Sequence, residues 1–428
     1  MARRAKFKAP DRLARVPLIS RIGDAIFDLS LALRGVVPGG TAAAAEVRVR
    51  EMEKRDVRNV YYGRVVRDGF WTTLHYIYFY PMNNWRSGFY GVNDHEADWE
   101  QAFIYLYQDE AGDYVPHWVA YAAHDGQGDE LRRRWDDPAL VKEGEHPVIY
   151  AGAGSHASYF ERGDYLMGFE PGWIVPLKRV IDNLRRFWVE TLKQGDNEEF
   201  IEQVGAWLSV PFVDYARGDG VVIGPHKPKS WIPVPISDSD GWVNNYRGLW
   251  GLDTRDRFGG ERAPAGPKYD RSGAVRRLWY DPLGWAGLDK LYPPSMLPGE
   301  IDKRIASIGE QLGALNETIG HEMRALRTLA LDVQALRAAE HFNDVLVVRE
   351  KEQLTKKADF QDMVRRRMLL TETRNALLAY KKRVAQGNLG PPAAHIRHAH
   401  HPSEPVEHHR VMELWAAISG GLALLAFG

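Results

Sequence analysis

The chain of 428 residues contains no cysteine, which excludes disulfides, thiolate zinc sites and cysteine nucleophiles and fits a reducing compartment. It also has little net charge, −1 from 56 Lys and Arg against 57 Asp and Glu. No overall field therefore points to nucleic acid or to an acidic substrate. The basic start Met1-Ala2-Arg3-Arg4 is not followed by an apolar run of secretion-signal length. No apolar stretch reaches the ~20 residues a helix needs to cross a bilayer. What is abundant is aromatic: 14 Trp and 19 Tyr, crowded between residues 60 and 290. Such side chains suit pleated, half-buried surfaces and recognition faces.

The pattern changes four times along the chain. Residues 1–45 read as a basic amphipathic helix and linker, because Leu18, Ile22, Ile26, Leu29 and Leu33 share one helical face. Residues 57–290 read as a β-sandwich-like domain with helical insertions. Its strand signals are the runs Val60–Val66 and Trp71–Tyr80 around a turn at Arg67-Asp68-Gly69, then 98–107, 115–122, 147–151, 220–224 and 231–236. A helical stretch is expected at 174–209. Residues 298–386 read as a helical coiled coil or hairpin: Ile301, Ile305, Ile308, Leu312, Leu315 and Ile319 are spaced as a heptad seam. The seam resumes at Leu326 after an apparent slip near Glu322, and a bend is expected near His341-Phe342-Asn343-Asp344. Residues 388–410 form a His- and Pro-rich linker, and 411–428 a short apolar tail. That tail suggests membrane association on the cytoplasmic side, while the helices suggest self-association through 298–386.

The chemistry concentrates in Asn93-Asp94-His95-Glu96-Ala97-Asp98-Trp99-Glu100, which runs into an apolar strand. Alternate residues of a strand share a face, so Asp98 and Glu100 project together while Trp99 points away. Two neighbouring carboxylates repel, and a cation relieves the conflict. His95 and Asp94 join the pair from the preceding loop, and Asn83 or Asn84 supplies an amide oxygen. Oxygen donors with one imidazole suit Mg²⁺, Ca²⁺ or Mn²⁺ rather than zinc. The loop carrying Trp85, Arg86 and Tyr90 is the expected ligand contact. His124 and His156 are candidate general bases. Asp238-Ser239-Asp240-Gly241 has the opening of a calcium loop without its terminal Glu and reads as a polar turn.

Asp94-His95-x-x-Asp98-Trp99-Glu100 resembles the motif of the vacuolar protein sorting-associated protein 62 family. More distantly it resembles that of the necrosis- and ethylene-inducing-like proteins, β-sandwich cytolysins whose motif His, Asp and Glu bind a divalent metal. Gly154-Ser155-His156-Ala157-Ser158-Tyr159 fits the first family, as does Gly248-Leu249-Trp250-Gly251 followed by Ala263-Pro264-Ala265-Gly266-Pro267. The resemblance covers about 75–270 and implies a metal on His95, Asp98 and Glu100. It departs from the cytolysin motif at Ala97, where a second histidine stands, and at Asp94, where a glycine stands; toxicity is not carried over. The expectation is a metal-dependent binding module for a lipid headgroup or glycan at a membrane surface. The alternatives are a coiled-coil membrane scaffold with an inert β domain, or a metal-dependent phosphodiesterase or esterase.

Overall fold

The computed structural model describes residues 48–52, 54–56, 58–83, 95–122, 128–169, 210–251, 263–339, 341 and 343–396. These fall into two compact units, one built on the β-rich segment and the other on the helices that follow it. The N-terminal helix, the helix expected at 174–209 and the apolar tail lie outside the described residues.

The β unit is organised by β1 (Asn59–Asp68), β2 (Trp71–Asn83), β3 (His95–Gln108), β4 (Tyr114–Tyr121) and β5 (Arg132–Arg134). Six short strands follow: β6 (Lys142–Glu143), β7 (His146–Pro147), β8 (Tyr150–Ala151), β9 (Ser158–Tyr159), β10 (Gly163–Phe169) and β11 (Val210–Ala216). The last, β12 (Trp231–Pro235), returns to pair in parallel with β1. One six-stranded sheet results, in the order β12-β1-β2-β3-β4-β5. The remaining described strands form two-stranded ladders, β10 with β11, β6 with β7 and β8 with β9. Residues 220–224 contribute only an isolated bridge, Ile223 with Lys229.

The first hairpin closes on a two-residue turn. Asp68 faces Trp71, and Gly69 takes φ 55°, a left-handed conformation that glycine adopts without steric cost. Arg67 and Asp68 therefore belong to the ladder, and the turn is Gly69-Phe70 rather than Arg67-Asp68-Gly69. Alternation along β2 and β3 then sorts side chains to two faces. On one face Ile77, Trp99, Phe103 and Tyr105 pack against Ile236, Val243, Trp279, Leu283 and Leu288. Their partners sit on or beside three one-turn helices, α1 (Gly241–Asn244), α2 (Arg277–Tyr280) and α3 (Pro282–Trp285). Each fully buried large side chain contributes roughly 1.5–3 kcal/mol. On the opposite face Ala102, Ile104, Val119 and Tyr121 pack against Leu140, with Tyr76, Tyr78, Ile149 and Phe160 at the margin. Asp98 and Glu100 belong to this second face.

The second unit is a hairpin of two 42-residue helices, α4 (Leu297–Ala338) and α5 (Asn343–Val384). Ion pairs Lys381–Asp302, Lys356–Glu322 and Arg337–Glu350 step along the pair in opposite directions, so the helices are antiparallel. In α4 the buried residues are Ile301, Ile308, Ile319, Leu329 and Val333. These positions, together with Ile305, Leu312, Leu315, Leu326 and Leu336, keep one heptad frame throughout. There is no slip: Glu322 occupies a seam position, and its carboxylate meets Lys356 Nζ at 3.3 Å. A charged residue interrupts the hydrophobic pattern without interrupting the register.

Candidate functional site

The site forms where β2 and β3 run side by side, Tyr78 facing Glu100, Tyr80 facing Asp98 and Asn83 facing His95. The ladder skips the pair between these, because Pro81 has no N–H to give and Ala97 turns to φ 61°. A left-handed alanine is strained, and such strain gathers at functional sites. It swings the Ala97 carbonyl round to accept from His95 Nδ1 at 2.8 Å. His95 thereby folds back on its own strand, its Nδ1 engaged by the backbone rather than by a carboxylate.

The imidazole that does reach Asp98 is that of His156, with Nδ1 3.1 Å from Oδ2. Asp98 Oδ2 also accepts from Asn83 Nδ2 at 3.0 Å, and Oδ1 from the Trp99 amide at 3.0 Å. His156 itself has φ 61° and lies flat on Tyr80, ring centroids 3.9 Å apart. It is held there by the tight turn Gly152–Ala157, whose ends bond Gly152 N to Ala157 O and His156 N to Gly152 O. Beneath that turn Asp214, fully buried on β11, accepts from Ser155 Oγ at 2.6 Å and Tyr159 Oη at 2.7 Å. A methyl at Gly152 would sit 2.2 Å from Ser155 Oγ and 2.5 Å from Asp214 Oδ1, so only glycine lets the turn close over the aspartate.

Glu100 completes the cluster. Its carboxyl is raised well above the usual carboxylate range, first by burial, then by Asp98 and by Asp214, against a smaller opposing pull from Arg276. No hydrogen bond or ion pair to Glu100 occurs among the described residues. Burial, with lesser contributions from Glu100 and Asp98, also raises the Tyr80 phenol. Beside Asp98, the side-chain oxygen of Asn83 is buried and has no partner among the described residues. The donor set, two carboxylates and an orphaned amide oxygen with imidazoles at hand, fits a hard divalent cation. Among the described residues, however, no three His, Asp or Glu side chains already converge on one point.

The expected site residues therefore divide. Asn83, Asp98, Glu100 and His156 come together, and His95 stands at the edge with its ring turned aside. Asp94, Asn84, Trp85, Arg86, Tyr90 and His124 lie outside the described residues. Asp214, Ser155, Tyr159 and Tyr80 adjoin these residues, and none of the four was among the expected site residues. The run Gly154–Tyr159 carried the only sequence signal for this part, through Ser155 and Tyr159, whereas Val213-Asp214-Tyr215 has none. The acidic turn at 238–241 is structural: Asp238 pairs with Lys268 Nζ and Trp279 Nε1, and Asp240 accepts from Ser237 N.

The glycine-rich segments brace the other side of β3. A side chain at Gly251 would lie 2.5 Å from Glu96 Cβ, and one at Gly266 would lie 2.8 Å from Trp250 Nε1. Trp250 N donates to Pro264 O at 2.8 Å, and the Trp250 ring stands edge-on to Trp99, 5.2 Å away. The first segment thus presses on the strand that carries Asp98 and Glu100, and the second braces the first through Trp250.

No family model matches the chain, and no curated protein does; the sorting-protein resemblance gains no support from either. Among solved structures the chain is similar to Necrosis and Ethylene inducing Protein 2 from the causal agent of cocoa's Witches Broom disease. Identity there is 23%, over 23% of this chain and 43% of that one, with a TM-score of 0.18. It is also similar to NLPPya in complex with glucosamine, at 18% identity over 24% of this chain and 44% of that one, TM-score 0.19. The chain thus spans less than half the length of either structure. Overlaps of this size leave function to be read from the site.

Proposed function

We propose that the β unit is a binding module of sandwich type that captures a hydroxyl- or phosphate-bearing headgroup, glycan or lipid, through a divalent cation held at Asp98 and Glu100. The observation that carries this reading is Glu100 itself. Its carboxyl is raised by burial and by the charges of Asp98 and Asp214, and among the described residues it has no hydrogen bond or ion pair. A cation between Glu100, Asp98 and Asn83 Oδ1 would offset that repulsion and give the orphaned amide oxygen a partner. His95, through Nε2, and the loop 84–94 would complete the ligand set. Mg²⁺, Ca²⁺ and Mn²⁺ are the ions the oxygen donors favour. The apolar tail and the helical hairpin would display the module at a cytoplasmic membrane face and pair it with a second copy. No helix among the described residues is long and apolar enough to cross a membrane.

Calorimetric titration of the full chain with each of the three ions tests the reading. Saturable binding by the wild type, weakened at least tenfold in Glu100→Gln, is expected; equal binding by both proteins, or none by the wild type, refutes it. Liposome flotation and glycan capture with and without chelator then separate a lipid from a sugar ligand.

The Asp98–His156 pair favours one second reading. A carboxylate on Nδ1 orients an imidazole for base work at Nε2, which is what a hydrolase of phosphodiesters or esters would require. Turnover of either substrate class that is abolished in His156→Gln would replace the binding module with that enzyme; absence of turnover removes it.

A further inference from the structure

The helical hairpin leaves one of its two helices without a core. α4 buries Ile301, Ile308, Ile319, Leu329 and Val333, whereas α5, of equal length, buries no residue among those described. Most of a helix's stability in a protein comes from packing an apolar face. On α5 the apolar side chains stand outside instead: Val347, Leu354, Met368, Leu369 and Leu378 are each at least 40% exposed.

The heptad frame sorts the charges of the pair. The α4 seam runs through Ile305, Ile308, Leu312, Leu315 and Ile319, and the half-buried Phe360, Met363, Leu370 and Leu377 mark the matching seam on α5. One residue on from each seam lies a second stripe. On α4 it is Ala306, Gly309, Gly313, Asn316, Gly320 and Met323; on α5 it is Gln361, Val364, Met368, Thr371, Asn375 and Leu378. Two right-handed helices running antiparallel turn this shift to the same side of the pair. Arg337, one on from Leu336, accordingly meets Glu350, which continues the α5 stripe, at 2.7 Å. None of the residues in the two stripes is charged, although 11 of the 42 residues of α4 and 17 of the 42 of α5 are. The opposite side, one residue before each seam, carries Arg304, Asp359, Asp362 and Arg366. A Cβ at Gly309 or Gly313 would meet nothing within 4 Å. Glycine weakens a helix interior, and the hairpin itself fills neither gap.

We propose that this uncharged face docks a second copy of the chain, the two hairpins forming a four-helix bundle about a twofold axis along their length. That axis lays α4 of each copy over α5 of the other at the same height. The cross-helix pairs Asp302–Lys381 and Glu322–Lys356 bracket Ala306 to Gly320 on one helix and Gln361 to Leu378 on the other. Val364, Met368 and Leu378 of one copy therefore come level with the glycine gaps of the other. Large side chains on one helix and gaps on its neighbour make the face complementary to itself. A face without cations suits neither an anionic membrane nor nucleic acid. From Ala306 to Met323 it is about 25 Å long and, across two helices, about 20 Å wide. Two copies would cover on the order of 1,000 Å² in total, the size a specific interface needs. The inference gives a geometry to the pairing with a second copy proposed above and takes nothing from the acidic site.

Sedimentation velocity of the full chain over a micromolar concentration series tests the face, and a monomer–dimer equilibrium is expected. Met368→Glu should raise the dimer dissociation constant at least tenfold. Gly313→Gln should do the same while helical circular dichroism stays equal or rises, because glutamine favours helix and has open space there. Leu369→Glu, as exposed as Met368 but on the opposite side, should leave the equilibrium unchanged. The chain has no cysteine of its own, so Gly313→Cys mixed with Met368→Cys should yield an oxidised cross-link between copies that neither variant yields alone. Association that resists both Met368→Glu and Gly313→Gln lies elsewhere in the chain, the apolar tail included, and overturns the proposal. Cross-linking of either single variant in preference to the mixture overturns it as well. A monomer at every concentration overturns it together with self-association, while cation binding is judged separately by Glu100→Gln.

Discussion

Acid sensitivity of the β unit should pass measurably through His75. This side chain is 1% exposed, with Nε2 2.7 Å from Gln101 Oε1, its ring stacked 4.2 Å from Phe103 and its Nδ1 without a partner among the described residues. Burial, and then the field of Arg64, lower its pKa from 6.5 to about 3. The folded state therefore keeps the ring neutral, while the unfolded chain takes up a proton below pH 6.5. The stability linked to this group is complete above that value and is lost as pH falls towards about 3. Each pH unit in that window is worth about 1.4 kcal/mol, so the step from pH 7.5 to 5.0 removes about 2 kcal/mol through this one side chain. His75→Phe keeps a ring against Phe103 and removes the proton. It leaves Gln101 short of a partner, a cost of about 1–3 kcal/mol that does not vary with pH. Urea unfolding followed by tryptophan fluorescence reads the β unit selectively, because residues 297–384 contain no Trp. The wild-type advantage over His75→Phe should shrink by about 2 kcal/mol between pH 7.5 and 5.0. A gap that stays constant would refute the reasoning.

Three further outcomes follow from the packing. Gly152→Ala places a methyl against Ser155 and Asp214, so the β unit should lose about 1–3 kcal/mol, read in the same urea assay, while Gly220→Ala, with open space around it and no left-handed backbone, should lose less. Ile308, wholly buried in the hairpin, should cost about 2–5 kcal/mol when cut to alanine, seen as an earlier loss of helical circular dichroism. Replacing both Glu322 and Lys356 by leucine should raise the helical melting temperature and broaden the oligomer distribution in analytical ultracentrifugation, since an exposed pair adds roughly 0–1 kcal/mol whereas a seam charge fixes register.

Strand and helix positions were legible in the sequence wherever periodicity was strong, and the reasons for the misses are local. The hairpin of β1 and β2 could be read from its runs of Val and Tyr, but the turn sits on Gly69-Phe70 because Gly69 alone takes the left-handed backbone. The interhelical bend near His341 was one of two options, and the cross-helix pairs show the hairpin. Glu322 looked like a break because hydrophobicity was the only signal followed; in the hairpin its partner lies 34 positions later. At the site, Asp98 and Glu100 could be placed on one face from spacing two alone. His95 could not be placed, because its orientation depends on the left-handed Ala97, and nothing in an alanine announces that. Asp214 was invisible because its partners, Ser155 and Tyr159, lie 59 and 55 positions away in sequence.

The most direct test of the account is anomalous diffraction from crystals of the full chain grown with Mn²⁺. The account predicts a peak about 2.0–2.6 Å from oxygens of Glu100 and Asp98, with Asn83 Oδ1 turned towards it. A map with no peak there, and a protonated Glu100 hydrogen-bonded to its neighbours, would contradict it.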